Sequence, residues 1–560
     1  MFKQILKKNS FLKLQIIKHR LRNYQPEWSR LIEDSKEKWL NSLKKSKNGD
    51  KILIATCVGS HLPATILESM IAVALILRGA EVHILLCDRF LPACLACSVH
   101  HFSNLNKFSR VGPIALCNDC FGSAHKMFSS LGVRVHRFST YVDYAETRWA
   151  SGVSENIPIN EISKYEYDGM AVGEHALAGT LRFFARGSFS GQPNAEPIFR
   201  RFFNAALLST IAAKNLISRN RFKTAVFHHG IYVPQGLIGE VCRKMGVGVV
   251  NWNPAYRRQC FIFTHHDTYH HELLKEPTSL WENIEWDKVI ETKTLEYLKS
   301  RWYGTKDWIY FHENPCEELD VIAKELGVDF SKPCIGMLSN VVWDAQLHYR
   351  ANAFSGMLNW VERTIQYFIN RPELQLIIRI HPAELSGGLP SRQLLLDEIR
   401  ALFPKLPQNI FIIPPQSNIS TYAAMLQCNA VLIYGTKTGV ELTSLGIPVI
   451  VAGEAWIRNK GLTFDANSAE EYFAHLDRLP FNSKLPDHVI RRAQKYAFHF
   501  FFRRMIPLEF IIPQPGSSVP YRLGLERLKD LNSERDHGLN VICNGILTGN
   551  EFVYRFEKFI

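Results

Sequence analysis

The chain is predicted to be α/β, with two Rossmann-like domains facing a cleft and a four-cysteine metal-binding insertion in the first. Three observations predict this. Short apolar runs alternate with helical periodicities, the pattern of parallel sheets joined by crossover helices. That alternation runs twice, restarting at Cys334 after a charged, Trp-rich stretch over 273–331. The length, 560 residues, makes two full cores the default.

The elements follow in order. Residues 1–50 are basic and polar and read as a helical segment. Lys51–Cys57 is an apolar run, hence a buried strand, and Gly59-Ser-His-Leu-Pro is a turn. Helical periodicity over 64–78 ends at Gly79, and 82–87 is the next strand, which closes a β-α-β unit. After the cysteine-rich segment 88–122, a short strand resumes at Gly132. Residues 140–220 read as mainly helical. A strand at 224–227, a helix over 234–245 and a strand over 246–252 complete the first domain, 51–325.

The second domain, 326–485, starts with strand 334–338. Helix 352–369, strand 374–380, helix 392–403, strand 409–413, helix 419–427, strand 430–433, helix 438–445 and strand 447–451 follow. Residues 486–560 form a helical return segment and tail. Within it, Tyr496-Ala-Phe-His-Phe-Phe-Phe502-Arg-Arg is aromatic and basic. It is expected to pack back on the first domain, with membrane contact as the other reading.

Hydrophobic content of 46% and charged content of 21% fit an ordinary globular protein. The formal net charge is +13, which favours anionic partners without choosing among nucleotide phosphates, anionic lipid, acidic glycan and nucleic acid. Part of the excess lies in the first 22 residues, where Lys3, Lys7, Lys8, Lys13, Lys18, Arg20 and Arg22 alternate with apolar side chains such as Phe2, Ile5, Leu6 and Ile17. Such a segment either lies on an anionic membrane or packs on the body as a solvated helix. No secretory signal and no apolar run of membrane-spanning length are evident. The expected location is the cytoplasm, including the inner face of the cytoplasmic membrane. Twelve scattered cysteines do not read as a disulfide scaffold.

The richest chemistry lies at 430–450. Strand 430–433 enters a Gly/Thr turn, Gly435-Thr-Lys-Thr-Gly439, followed by a helix carrying Glu441 and then Leu-Gly-Ile-Pro-Val449. Glycine, threonine and a helix N-terminus suit phosphate, and an acid one turn on suits a ribose. Strand 374–380 leads into Arg379-Ile-His381-Pro, which places two cations on one face at the strand end. Asn340 and Asp344 follow strand 334–338 and are candidate sugar contacts. In the first domain, His61 in the turn after the first strand and His229 after strand 224–227 are candidate general bases. His265, His266, His270 and His271 cluster nearby and read as cleft-lining or exposed, with a metal site as the alternative.

Together, the two Rossmann-like halves, His381-Pro, Gly435-Thr-Lys-Thr-Gly-Val-Glu441 and Leu445-Gly-Ile-Pro-Val449 resemble GT-B glycosyltransferases, and within them the capsule polysaccharide biosynthesis group. The resemblance is clear over roughly 333–478. It implies that Thr436 to Glu441, including Lys437, Thr438 and Gly439, hold a donor nucleotide, with His381 near the sugar or diphosphate. Gly59-Ser-His61 looks like a shortened form of the family's glycine-rich loop, where a histidine contacts substrate in some members.

No Asp-x-Asp triplet occurs in the sequence. No catalytic metal is therefore expected, and neutralisation of the diphosphate falls to Arg379, Lys437 and helix dipoles. The pairs Cys94-x-x-Cys97 and Cys117-x-x-Cys120 have the spacing of a closed tetrahedral site. The expected occupant is a structural zinc, with an iron–sulfur cluster as the alternative.

The expected function is transfer of a sugar from a nucleotide-sugar donor to a glycan or lipid-linked acceptor in surface polysaccharide synthesis. A nucleotide-sugar epimerase or a polyol-phosphate transferase on the same scaffold is the nearer alternative. A non-enzymatic zinc-stapled nucleic-acid-binding protein is the farther one. It is disfavoured because the charge is dispersed and no RNA-binding motif is present.

Overall fold

A computed structural model describes residues 10–560 except 309, 311–313, 346–348, 515, 516, 518 and 533–535. The extreme N-terminal cations Lys3, Lys7 and Lys8, with Phe2, Ile5 and Leu6, lie outside the described residues.

Two sheets organise the chain. The first comprises β1 (Lys51–Cys57), β2 (Glu81–Leu86), β3 (Arg134–Arg137), β4 (Thr224–His228), β5 (Gly248–Pro254) and β6 (Cys260–His265). The second comprises β7 (Cys334–Leu338), β8 (Gln375–Arg379), β9 (Ile410–Ile413), β10 (Ala430–Ile433), β11 (Val449–Val451) and β12 (Phe464–Asp465). A late strand, β13 (Ile506–Pro507), returns to the first sheet.

The strand orders are β13-β6-β5-β4-β1-β2-β3 and β12-β11-β10-β7-β8-β9. Every pairing in the second sheet is parallel. In the first sheet only β6 is reversed, running antiparallel to both β5 and β13. Each sheet is thus doubly wound, and its order reverses beside its first strand, between β1 and β4 and between β7 and β10. Ligand crevices open at the carboxyl ends of such strands.

Burial explains why these runs are strands. β4, β7, β8 and β10 are buried along their whole length, as strands covered on both faces by helices must be. In the first sheet the covering includes the Leu62–Leu77 helix, buried nearly all round, and the Ala195–Arg219 helix. Gly439 shows how close the covering comes in the second sheet. A Cβ there would meet Ile433 Cδ1 at 2.6 Å, so a larger residue would have to push that side chain aside for the Thr438–Ser444 helix to lie as close on β10.

Two expectations change. Cys260–His265, where the sequence shows chiefly a histidine cluster, is a buried strand folded back on β5. A four-residue apolar run carries no period that separates strand from helix. The helix expected over 352–369 begins only at Met357. The aromatic run 496–502 packs in part on the first domain, as its first reading has it, with Phe501 on Tyr297 at 5.1 Å and Phe498, Phe500 and Phe501 completely buried. Its helix, Asp487–Phe498, packs on the Thr438–Ser444 helix before the chain crosses to β13.

The basic helix Ser10–Asn23 packs against the Ile114–Ser129 helix. Asp119 receives Arg22 at 2.6 Å and Lys18 at 3.5 Å, and Leu21 is buried beneath them. Among the described residues no helix is long and apolar enough to cross a membrane.

Candidate active site

Two cavities meet at the carboxyl ends of β7, β8 and β10. The smaller, about 140 Å³, is lined by Arg379, Ser339, Thr438, Tyr422 and Trp302. The larger, about 320 Å³, lies towards the first domain and includes Asn340, Asp344 and Gly435 with His229 of the opposite sheet. His381, Thr436 and Lys437 line both. A ligand with two chemically different halves would be gripped at its junction by these three residues.

Each of the three is held from below. The His381 backbone N–H donates to Ser339 Oγ at 3.0 Å, and its ring Nδ1 accepts from the Ala383 N–H at 3.0 Å. The proton of the neutral ring therefore sits on Nε2. Burial, with Lys437 and Arg379 nearby, lowers its pKa to about 4, so the ring stays neutral at physiological pH. Thr436 Oγ1 accepts from the Thr438 N–H at 3.3 Å, which shapes the turn. Asn340 Oδ1 accepts from the Gly435 N–H at 3.2 Å and ties the β7 loop to it.

The Lys437 ammonium lies over the Tyr256 ring at 4.7 Å and 3.4 Å from Glu441 Oε1. Burial and the nearby Arg301 lower its pKa. The helix that follows has only seven residues, so its dipole is short and the turn's positive character comes chiefly from this side chain. Arg379 has a second task besides lining the cavity. It donates to Pro414 O at 2.7 Å, Thr421 Oγ1 at 3.2 Å and Ser417 O at 3.3 Å, which holds the loop after β9 against the site. Burial brings its pKa down to about 10, still leaving it charged.

Glu441 is placed differently from its sequence expectation. It is buried, lines neither cavity, and is engaged by Arg301 Nε at 3.0 Å, by Lys437 and by the Tyr422 hydroxyl. Arg301 in turn binds Asp307, which accepts from Tyr297 OH at 2.7 Å. Desolvation raises the Glu441 pKa, but the two cations outweigh it and hold the carboxyl below its usual range. Gly439 likewise lies beneath the site rather than in it.

The two candidate bases are separated. His229 lines the larger cavity, with φ +67 in the left-handed region, and is fixed by its N–H donating to Trp252 O at 3.0 Å. Burial is the main cause lowering its pKa to about 4, against the raising influence of Asp344. Asp344 lies in the same cavity and accepts from Tyr232 OH at 3.0 Å. His61 instead opens into a third cavity, its ring stacked on His228 at 4.6 Å.

Sequence reading missed the aromatic lining of the larger cavity: Tyr256, Tyr269, Tyr349, Tyr434 and Trp456, with His270. These come from five separate segments, and the signal available was only the chain's 12% aromatic content. Of the other histidines, His271 pairs with Asp267 at 3.0 Å and His265 bonds Asn550 O at 2.9 Å.

The four cysteines of the insertion share one region beside the Gly59 turn without forming a ligand shell. Cys94 interacts with Cys97, and its charge raises the pKa of Cys117 and Cys120 after burial. Cys117 Sγ donates to Pro113 O at 3.3 Å, and Cys120 Sγ accepts from the Ser60 N–H at 3.2 Å. Among the described residues no group of three or more His, Cys, Asp or Glu side chains is disposed to hold a metal ion.

No family model and no curated protein matches the chain. Solved structures similar to it include two from Thermosulfurimonas dismutans KpsC. The beta Kdo 2,4 transferase has 11% identity and a TM-score of 0.32, over 49% of this chain and 79% of that one. The beta Kdo 2,7 transferase has 13% identity and a TM-score of 0.30, over 57% and 88%. Methanocaldococcus jannaschii UDP-GlcNAc 2-epimerase, in complex with UDP-GlcNAc and UDP, has 14% identity and a TM-score of 0.26, over 78% and 93%.

Proposed function

We propose that the chain is a GT-B-type glycosyltransferase that moves a sugar from a nucleotide donor to a hydroxyl acceptor in surface polysaccharide synthesis. The observation that supports this reading is the junction of His381, Thr436 and Lys437 between a small cation-bearing cavity and a larger aromatic one. The small cavity suits the nucleotide diphosphate. The larger suits a sugar ring, which stacks on aromatic faces, and it holds both a neutral imidazole and a carboxylate.

In the proposed reaction His229 takes the proton of the acceptor hydroxyl as its oxygen bonds to the anomeric carbon. The bond from that carbon to the diphosphate oxygen breaks, and the electron pair stays on the diphosphate. The developing charge meets the Lys437 ammonium and the His381 Nε2–H, fixed donors at the junction of the two cavities. Asp344 orients the sugar or assists His229. His61, in its separate cavity, is not the base in this scheme.

The test is titration of nucleoside diphosphates by calorimetry, followed by product analysis with the matching labelled nucleotide sugar. Binding is expected, with glycosyl transfer to an added acceptor. Rate should be level from about pH 5 to 8 and fall on acidification as His229 and His381 protonate near 4. Epimerised free nucleotide sugar, or transfer of phosphate, would replace the transferase reading. Absence of any nucleotide binding would end both.

A structural zinc belongs to the proposal only as a rearrangement, with Cys117 and Cys120 turning from Pro113 and Ser60 towards Cys94 and Cys97. Native mass spectrometry should then find one zinc ion per chain, lost on Cys94→Ser. A metal-free chain after purification with zinc present throughout rejects the site.

A further inference from the structure

The third cavity, about 360 Å³, is used by no step above. It lies where the Ser10–Asn23 helix, the turn after β1, the cysteine loop and Leu389 of the second domain converge. Its walls divide by chemistry. One side is apolar, with Ile17, Leu21, Leu95 and Leu389. The other carries Arg20, Arg182, His61 and His101, and no carboxylate lines it among the described residues.

Two observations indicate that these polar groups face a ligand. Neither Arg20 nor Arg182 forms an ion pair among the described residues, although the same helix places Lys18 and Arg22 on Asp119. Arg182 instead donates to Leu95 O at 2.6 Å and lies over the Tyr232 ring at 5.2 Å, which leaves further N–H groups on its guanidinium. His101 Nδ1, buried, has no hydrogen-bond partner among the described residues. Buried polar atoms are rarely left in that state.

The cavity also backs onto the proposed reaction site. His61 stacks on His228, whose ring lies 5.5 Å from that of His229. Tyr232, under Arg182, bonds Asp344. The rings of His61, His228 and His229 stand in succession between the two cavities.

We propose that this cavity binds a phosphate monoester carried on an apolar chain, its anionic head on Arg182 and Arg20 and its chain along Ile17, Leu21 and Leu389. On the transferase reading it anchors the acceptor. Binding itself does not depend on that reading.

The test is calorimetric titration of the full chain with octyl phosphate, inorganic phosphate and octanol, each followed by a nucleoside diphosphate in the same sample. Octyl phosphate should bind on the order of 100-fold tighter than inorganic phosphate, a gap that about four buried methylenes supply. It should bind at least about tenfold tighter than octanol, and Arg182→Gln should remove that second advantage while leaving nucleotide affinity unchanged. Should Arg182→Gln fail to fold, Arg20→Gln on the helix surface carries the same expectation. Equal affinity for octyl phosphate and inorganic phosphate overturns the proposal, as does equal affinity for octyl phosphate and octanol. An Arg182→Gln or Arg20→Gln variant that binds as the parent does also overturns it. If octyl phosphate binds as expected and no nucleotide does, the donor-site reading fails and this site stands.

Discussion

Glu441→Ala is expected to destabilise the chain by about 3–5 kcal/mol, the usual cost of removing one partner from a buried ion pair. The carboxylate holds Arg301 at 3.0 Å and Lys437 at 3.4 Å, and all three side chains are largely or wholly withdrawn from water. Without it, two buried cations face one remaining acid, Asp307. The reading from sequence, in which this acid serves a ribose, does not suit that geometry. Glu441→Gln separates the two ideas. It keeps the shape and an acceptor oxygen but removes the charge, so it should lose stability and disturb Lys437 together. Thermal or urea unfolding gives the measurement. A Glu441→Ala chain as stable as the parent, yet weak for nucleotide, would restore the ribose role.

The second large effect is expected at Lys437. Lys437→Met keeps the length and apolar stem but removes the ammonium from the junction of the two cavities. If that ammonium meets charge developing on the diphosphate, turnover should fall by roughly 10²–10³-fold, the usual effect of deleting one fixed electrostatic donor. Nucleoside diphosphate affinity should fall as well, because the product carries the same charge. Steady-state kinetics beside calorimetry divides the effect. A loss confined to KM would mean that Lys437 binds ground and transition states alike. Turnover within threefold of the parent would remove Lys437 from the chemistry. Stability should change far less than in Glu441→Ala, since Glu441 retains Arg301.

These two residues lie four apart in one motif, yet only one faces a cavity. The sequence shows strand, turn and helix in order because those signals are local. Ala430–Ile433 is a run of apolar side chains, Gly439 allows the helix to lie on the strand, and Gly446 takes the left-handed conformation that ends the helix, at φ +90. The direction of Glu441 is not local. Arg301 is 140 positions away in a charged stretch with no periodic mark, and nothing in the motif announces it. A buried carboxylate follows the nearest cation, and that cation is supplied by the fold.

The candidate bases follow the same logic. His61 and His229 each follow a strand of the first sheet, and from sequence they are equivalent. Only the packing of His228 between them sends one ring to the cleft and the other to a separate cavity. The cysteine pairs make the converse case. Their spacing matches a zinc site, but spacing along a chain does not decide rotamers, and whether Cys117 and Cys120 leave Pro113 and Ser60 for a metal is decided by the surrounding fold.

By itself, then, the sequence determined the two alternating α/β runs, their buried strands and the turn at 435–439, because hydrophobic period and glycine act over a few residues. Tertiary structure alone decided which charges face the cavities, which aromatics line them and where Tyr496–Phe502 is buried. Those outcomes depend on side chains brought together from distant segments, where desolvation and ion pairing, rather than local propensity, set the lowest free energy.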